Sequence, residues 1–475
     1  MKYLYIKKDI FTSLCLILFI LIQYIGFYLV SDWFLPLLEL QLFFITIYII
    51  YHSHKNSKNW LSLDIVFIGC ICIFLLARIF MHLFLPSVFD SYGESQWMEY
   101  FYFSNKTMLN INFILIFSLL FLHIGFIYGY KIYKNNSLKK IQQSLALDKT
   151  IGYCLFFIGG FCFFYKVYFY FNILNNFGYF AIYSGNHILP TFVRIFDDFF
   201  YIGFFIILAN KPPKKYAYRL SLFFIFMYSS YIFTGMRAEF LIVTITTLWS
   251  LSVLYNLKIN FKILLCIVFS IVILSQITLL TKYDFELDKE GIKYLTSFFY
   301  QQGVSLLVLG FMFEFKELFF VNGYEGFLNL FAPFYSKYLL FTGQVEPRSL
   351  LSLEQSWYIV EKLEYFLNPT AYLLGGGTGS SYIMELYFIG GNIIFLAFFS
   401  FFLGIFIIYI QNKLIFKKYG FFIATFLVQA LIWMPRSSFA IFIIKFIFAI
   451  VIIIFLKIFK NLLKRDSYEI DTTRL

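Results

Sequence analysis

"GNIIFLAFFSFFLGIFIIYI", Gly391 to Ile410, runs for twenty residues without a charge. At about 1.5 Å of rise per residue, a helix of this length crosses the ~30 Å hydrocarbon core of a bilayer. Its apolar residues are continuous rather than alternating. That excludes a closed strand barrel and leaves a helix, which satisfies its backbone hydrogen bonds internally, as the spanning structure. Outward from this run, comparable stretches recur along nearly the whole chain of 475 residues, which is 61% hydrophobic and 13% charged. Soluble domains do not have such a composition. The expected class is all-α, a polytopic integral membrane helical bundle of about 12 spans. We place them at roughly 10–30, 33–51, 62–85, 110–130, 151–171, 195–209, 217–234, 238–256, 263–281, 391–410, 420–434 and 439–456. The first is read as a span and not a cleaved signal, because no small-residue cleavage site follows it.

Charge gives the orientation. With both termini in the cytoplasm, 24 of the 38 Lys and Arg residues fall in cytoplasmic segments, the asymmetry that sets topology. The net charge of +12 is dispersed over short interspan segments and forms no stripe, so membrane topology explains it and nucleic acid is not an expected partner. All six cysteines lie in apolar runs, as small hydrophobes rather than a disulfide framework. One connection is long: an external loop at about 282–390, between the ninth and tenth spans, with eleven acids against six bases from Asp284 to Glu364. Within it, "GVSLLVLGFMFEF" and "GFLNLFAPFYSKYLLF" are too short or too polar to cross and read as re-entrant or interface-lying helices. No internal repeat or linker divides the chain, so 1–475 is read as a single polytopic domain.

The chain lacks HExxH, GxSxG and a phosphate loop ending in Lys-Ser or Lys-Thr, which removes the main support for a zinc hydrolase, a serine hydrolase or an ATPase. His52, His54, His82 and His123 read as solvated or core histidines. Polar residues gather instead at a few external turns. "FTGMRAEFL" places Arg237 and Glu239 between two spans, and "IWMPRSSF" places Arg436 in the equivalent later turn. "GQVEPRSLLSLEQSW" contributes Arg348, while His187 and Arg194 close the loop after the fifth span. An arginine at a span end can anchor to lipid phosphate. Positive-inside bias disfavours external arginines, however, so their retention in short turns points to an anion held by planar guanidinium donors. Just before the Gly391 run stands "LLGGGTGSSYIMELYFIGG". Glycines Gly375, Gly376, Gly377 and Gly379 permit a turn whose N–H groups form an anion nest, and Ser380 and Ser381 are expected to cap the next helix. Glu385 lies just over one turn into it, where a carboxylate can accept a proton or order an arginine. The plainer reading is a glycine hinge and a capped helix.

Together, the dozen spans, the long external loop before the last three, the "GMR" turn and "GGGTGSSYIMELYFIGG" resemble the Wzy-type O-antigen and capsule repeat-unit polymerases, including the enterobacterial common antigen polymerase branch. The resemblance implies a membrane-embedded glycosyltransferase at the outer face of the bacterial cytoplasmic membrane, working without a cofactor, nucleotide sugar or metal. Donor and acceptor are glycans on undecaprenyl pyrophosphate, with membrane lipids, a chain-length regulator protein and a flippase as further partners. Arg237, Arg436 and Arg348 are then candidates for holding the leaving pyrophosphate, helped by amides from Gly375 to Ser381. Glu385 or Glu239 is the candidate base, with His187 the third choice. Trp357, Tyr358, Tyr335 and Tyr382 are candidate sugar platforms. A lipid-linked oligosaccharide flippase, an O-antigen ligase and a solute transporter stay open as alternatives. Only Arg78, Lys166 and Lys445 lie plainly within spans, few for a flippase's central cavity.

Overall fold

The structure, a computed structural model, describes residues 12–13, 16–20, 34–86, 101–133, 149–178, 180–182, 189–234, 236–263, 273, 298–319, 324–346 and 348–472. Among the described residues all regular structure is helical. The first half contains α1 (Phe34–Ser57), α2 (Leu63–Phe84), α3 (Asn105–Ile132), α4 (Lys149–Phe177), α5 (Asp198–Ala209), α6 (Lys214–Ser229) and α7 (Arg237–Tyr255). The second contains α8 (Val304–Glu314), α9 (Ala332–Phe341), α10 (Ile359–Leu367), α11 (Tyr382–Gly390), α12 (Ile393–Asn412), α13 (Gly420–Trp433) and α14 (Ala440–Thr472).

Seven of the described helices, α1 to α4, α7, α12 and α14, are long and apolar enough to cross a membrane. Most of the expected span at 10–30 and nearly all of that at 263–281 lie outside the described residues. The expected span at 195–209 divides. Asp197 pairs with Lys166 of α4, ends the short helix Thr191–Phe196 and leaves α5 with only 12 residues. Too short to cross alone, α5 is buried from Phe200 to Ala209, which explains its all-round apolar character. The expected span at 217–234 is the 16-residue α6, closed by a 3₁₀ turn at Ser230–Ile232.

Two apolar cores organise these helices. The first joins α1, α2, α3, α8, α10, α11, α12 and α13 with Ile242 and Trp249 of α7; the second joins α4 to α7 with α13 and α14. Helix α13 belongs to both, giving Ala424, Leu427, Val428 and Leu431 to the first and Phe421, Phe422 and Phe426 to the second. The "GVSLLVLGFMFEF" segment forms α8, buried from Ser305 to Met312 and wrapped in protein rather than lying on an interface. It packs on the π-helical turn Cys72–Leu76 inside α2 and on α3 and α11. By contrast, the helix Glu325–Asn329 and α9 expose Phe327, Phe331, Tyr338 and Leu340, the face of an interface-lying segment.

Helices α3 and α12 cross closely. Gly125 and Gly129 form a small-residue pair four apart on α3, the first facing Gly404 of α12 and the second Ile408; a Cβ at Gly125 would collide with the Phe401 carbonyl, and one at Gly404 with the Leu122 carbonyl. Without a hydrophobic drive between helices in lipid, such backbone approach supplies the packing energy. Ser118 and Ser400 add a hydrogen bond of 2.9 Å across the seam. Gly404→Leu should therefore cost about 1–3 kcal/mol or more through overpacking. Thermal unfolding of the detergent-solubilised protein checks this, with Gly69→Ala, whose Cβ meets nothing within 4 Å, expected to leave the midpoint unchanged.

Candidate functional site

The glycine turn hangs from α10. That helix stops at Asn368, whose Oδ1 accepts the Ala371 N–H at 2.9 Å and starts the short helix Pro369–Leu373. The chain then reverses through Gly375 at φ +94° and Gly379 at φ +77°, conformations that strain any residue with a Cβ. Between them the turn closes over a carboxylate that belongs to the protein. Glu364 Oε1 accepts the Gly379 N–H at 3.1 Å and the Thr378 hydroxyl at 3.3 Å, and a Cβ at Gly377 would lie 2.8 Å from it. The N–H groups of Gly375 and Gly376 bond back to the Tyr372 and Ala371 carbonyls. The nest expected for a ligand anion therefore already holds Glu364.

Arg348 neutralises that carboxylate. Its Nη1 donates to Glu364 Oε2 and to the Gly376 carbonyl, both at 3.1 Å, and its guanidinium lies 4.6 Å from the Tyr372 ring centroid. The backbone of Arg348 is left-handed, φ +57°, a conformation costly for a long side chain and concentrated at functional sites. Glu364 is buried while the Arg348 side chain keeps 26% exposure, and among the described residues the remaining donors of the fork have no hydrogen-bond partner. One edge of the guanidinium is thus fixed and the other is without a protein partner among the described residues. Burial pushes Glu364 above its ordinary pKa, against the pull of the Arg348 charge and of the Gly379 and Thr378 amides.

The other end of the turn meets the Met434–Arg436 3₁₀ turn. The Ser380 N–H reaches the Arg436 carbonyl at 3.4 Å. Arg436 Nη1 donates to Gln302 Oε1 at 2.7 Å, and the guanidinium lies 5.7 Å from the Phe74 ring centroid. Glu385 ties the two turns together: Oε1 accepts from Ser380 Oγ at 2.7 Å, while Oε2 accepts from Ser438 Oγ at 3.0 Å and the Phe439 N–H at 2.8 Å. The expected serine caps are absent from α11. Ser381 occupies the cap position without a side-chain bond, and Ser380 serves Glu385 instead.

The structure thus brings Arg348, the 375–381 turn, Glu385 and Arg436 into one constellation. Glu239 and Arg194 belong to a second one. Glu239, in the first turn of α7, has Lys445 of α14, Lys166, Asp198 and Asp197 as electrostatic neighbours, and exposed Arg194, on Thr191–Phe196, shares Tyr170 with it as a neighbour. Arg237 opens α7, but its side chain, like the whole of His187, lies outside the described residues. Of the sugar platforms, Tyr335 and Trp357 stack 3.9 Å apart near the surface, with Tyr358 beside Trp357 in sequence and partly exposed. Tyr382 is fully buried next to Phe67 and is not available to a sugar. The residues missed are Glu364 and Gln302. The signal for Glu364 was in "YIVEKLEYFL", where it falls on the apolar stripe of Val360, Leu363 and Leu367.

Across residues 10–465, nearly the full length, the sequence matches the model of the family described as O-antigen polysaccharide polymerase Wzy. The chain belongs to that family. No curated protein and no solved structure matches it. It is therefore a multi-pass membrane polymerase of O-antigen repeat units, acting on lipid-linked oligosaccharides, and the flippase, ligase and transporter readings fall away.

In this Wzy-family polymerase, burial raises Glu385 from 4.5 to about 7 in spite of its donors Ser380, Phe439 and Ser438. Between those values the folded protein holds a proton that the unfolded chain has released. The stability this group contributes therefore falls as pH rises from 4.5 to about 7 and is level above that. Glu385→Gln should remove that slope, read as the dependence of the detergent-solubilised thermal midpoint on pH; an unchanged slope would show that Glu385 does not titrate in this window.

Proposed function

We propose that the polymerase transfers a glycan from undecaprenyl pyrophosphate to a second lipid-linked repeat unit at the outer face of the cytoplasmic membrane, with both chain termini in the cytoplasm. The observation that carries this reading is the attachment of two arginines, from distant parts of the sequence, to the two ends of one glycine turn. The anomeric carbon–oxygen bond breaks, the pyrophosphate leaves with the electron pair, and the acceptor hydroxyl oxygen forms the new bond. Charge builds on the pyrophosphate as it departs, and preorganised guanidinium groups stabilise that charge more than they stabilise bound substrate. Arg348 and Arg436 fill this role, with Arg237 as a third cation.

The acceptor hydroxyl must lose its proton to a carboxylate. Glu385 is enclosed and accepts three hydrogen bonds, a geometry suited to holding the two turns in register. We therefore assign the proton to Glu239. The α13–α14 hairpin relates these two carboxylates: Ser438 and Phe439 reach Glu385, and Lys445, about two turns on, faces Glu239. The Tyr335 and Trp357 pair and Tyr358 supply aromatic faces for sugar, and the Gly375–Ser381 turn, His187 and Arg194 complete the substrate surroundings. Because α13 serves both cores, we read residues 1–475 as one polytopic domain. A chain-length regulator protein and a flippase are its expected partners in the membrane.

Purified protein supplied with a synthetic undecaprenyl-pyrophosphate repeat unit should yield a glycan ladder and one undecaprenyl pyrophosphate per bond formed. Polymer without that released lipid would refute the donor assignment. Arg436→Ala should lower the rate about 100-fold or more at unchanged protein level, and Arg348→Ala should lower it as much per folded molecule while also destabilising the protein, because Glu364 loses its ion-pair partner. Lysine at either position should rescue poorly, because it lacks the planar fork. Glu239→Gln should lower kcat about 100-fold with little change in KM, the loss expected for a general base. If Glu385→Gln shows that kcat loss and Glu239→Gln does not, the two roles are exchanged.

A further inference from the structure

Arg78 is buried in the bilayer-length helix α2, immediately beyond its π-helical turn Cys72–Leu76, with 6% of its surface exposed. A charged side chain is costly there, and one that merely anchored to lipid would extend to the membrane surface. Arg78 instead turns inward onto the segment that precedes α8. Its Nε donates to the Tyr300 carbonyl at 3.0 Å, and its guanidinium lies 4.1 Å from the Tyr300 ring centroid. Gly303 closes against it, since a Cβ there would sit 2.8 Å from Arg78 Cγ. Residues Tyr300 to Gly303 therefore rest on the Arg78 side chain.

Between those two contacts stands Gln302, whose Oε1 accepts from Arg436 Nη1 at 2.7 Å. The ring beneath the Arg436 guanidinium is Phe74, on the same helix as Arg78 and inside the π-helical turn. A π-helical turn is wider than an α-turn and re-aims the side chains around it, which is why such turns gather at functional sites. Here it presents Phe74 to Arg436 directly and Arg78 to Arg436 by way of Tyr300 and Gln302. An amide oxygen on one side and a ring beneath both bear on the direction in which the Arg436 guanidinium points.

We propose that Arg78 is a positioning residue for polymerisation, fixing the direction of the Arg436 guanidinium through the Tyr300–Gly303 segment and Gln302. The proposal rests on the assignment of Arg436 to the leaving pyrophosphate. Arg78 touches no substrate in this scheme. Its removal costs rate because Arg436 points away as charge develops, and misplacement of this order costs about tenfold or more.

The test is a mutant cycle on the full-length purified protein with the synthetic lipid-linked repeat unit, measuring kcat and KM for Arg78→Ala, Gln302→Leu, Arg436→Lys and the pairs. Arg78→Ala and Gln302→Leu should each lower kcat about tenfold with KM nearly unchanged. In the Arg436→Lys background, where the fork they direct is gone, each should cost less than about twofold, the non-additivity of residues acting through one another. Arg78→Lys should restore little, since an ammonium cannot both donate along the Nε direction and lie over the Tyr300 ring. A full tenfold loss persisting in the Arg436→Lys background overturns the proposal, because Arg78 would then act independently. Where Arg78→Ala does not yield monodisperse protein, Gln302→Leu decides the matter by the same comparison. Impaired Arg436→Ala beside fully active Arg78→Ala and Gln302→Leu sinks this inference alone. A fully active Arg436→Ala instead removes Arg436 from the site, and the inference with it.

Discussion

The candidate site is built around a carboxylate enclosed by a glycine turn. Glu364 sits on the apolar face of α10, inside protein, where an unpaired negative charge would be untenable. Its solution is to gather donors: the Gly379 amide, the Thr378 hydroxyl and one edge of Arg348. Each attachment fixes something else. The amide bond sets the path of the turn, and the turn delivers Ser380 to Glu385 and to the Arg436 carbonyl. The Arg348 bond holds a guanidinium whose own backbone is strained, and that strain is maintained by the same ion pair.

This arrangement separates two jobs that one nest of amides would otherwise combine. Amides in a glycine turn bind an anion well but are fixed by the chain, whereas a guanidinium half-satisfied by an internal carboxylate remains charged and offers its other edge. With Glu364 in the nest, the internal anion organises the turn, and the proposed external anion falls to the arginines. Glu385 performs the corresponding task on the opposite flank, tying the glycine turn to the Met434–Arg436 turn with both of its oxygens. Two buried carboxylates thus brace the positions of two partly exposed cations, an arrangement suited to the pyrophosphate leaving group proposed above.

The membrane class and most long helices were legible because continuous apolar runs of bilayer length have few other uses; α3 and α12 follow their sequence readings closely. The 195–209 run was misleading for a physical reason. A helix buried on all sides by protein has the same composition as one facing lipid, and only the Asp197 and Lys166 pair, invisible in one dimension, marks where it begins. At the site, the glycine turn and both arginines were legible because their residue types are rare in such a chain. What they contact was not. Glu364 looks like an ordinary helix carboxylate until α10 is folded against the turn, and Ser380 and Ser381 look like caps until Glu385 captures the first of them. Tyr382 was indistinguishable from its surface neighbours by sequence, because aromatic residues serve cores and platforms alike.

The division into two cores gives the remaining constraint. The constellation at the glycine turn belongs to the first core, and Glu239 with Lys445, Lys166 and Asp197 belongs to helices of the second. Both cores grip α13, its small and aliphatic residues packing on one side and Phe421, Phe422 and Phe426 on the other. The turn Met434–Arg436 at the end of that helix carries Arg436, and α14, with Lys445, begins just after it, so the hairpin is a short covalent path from the first cluster to the second. Close-packed interfaces resist continuous deformation. The separation of the two clusters is therefore set by how α13 is seated between its two sets of side chains, far from either cluster. In a bilayer, where helix association depends on packing rather than on exclusion of water, that seating controls how the proposed cation and the proposed base face one another.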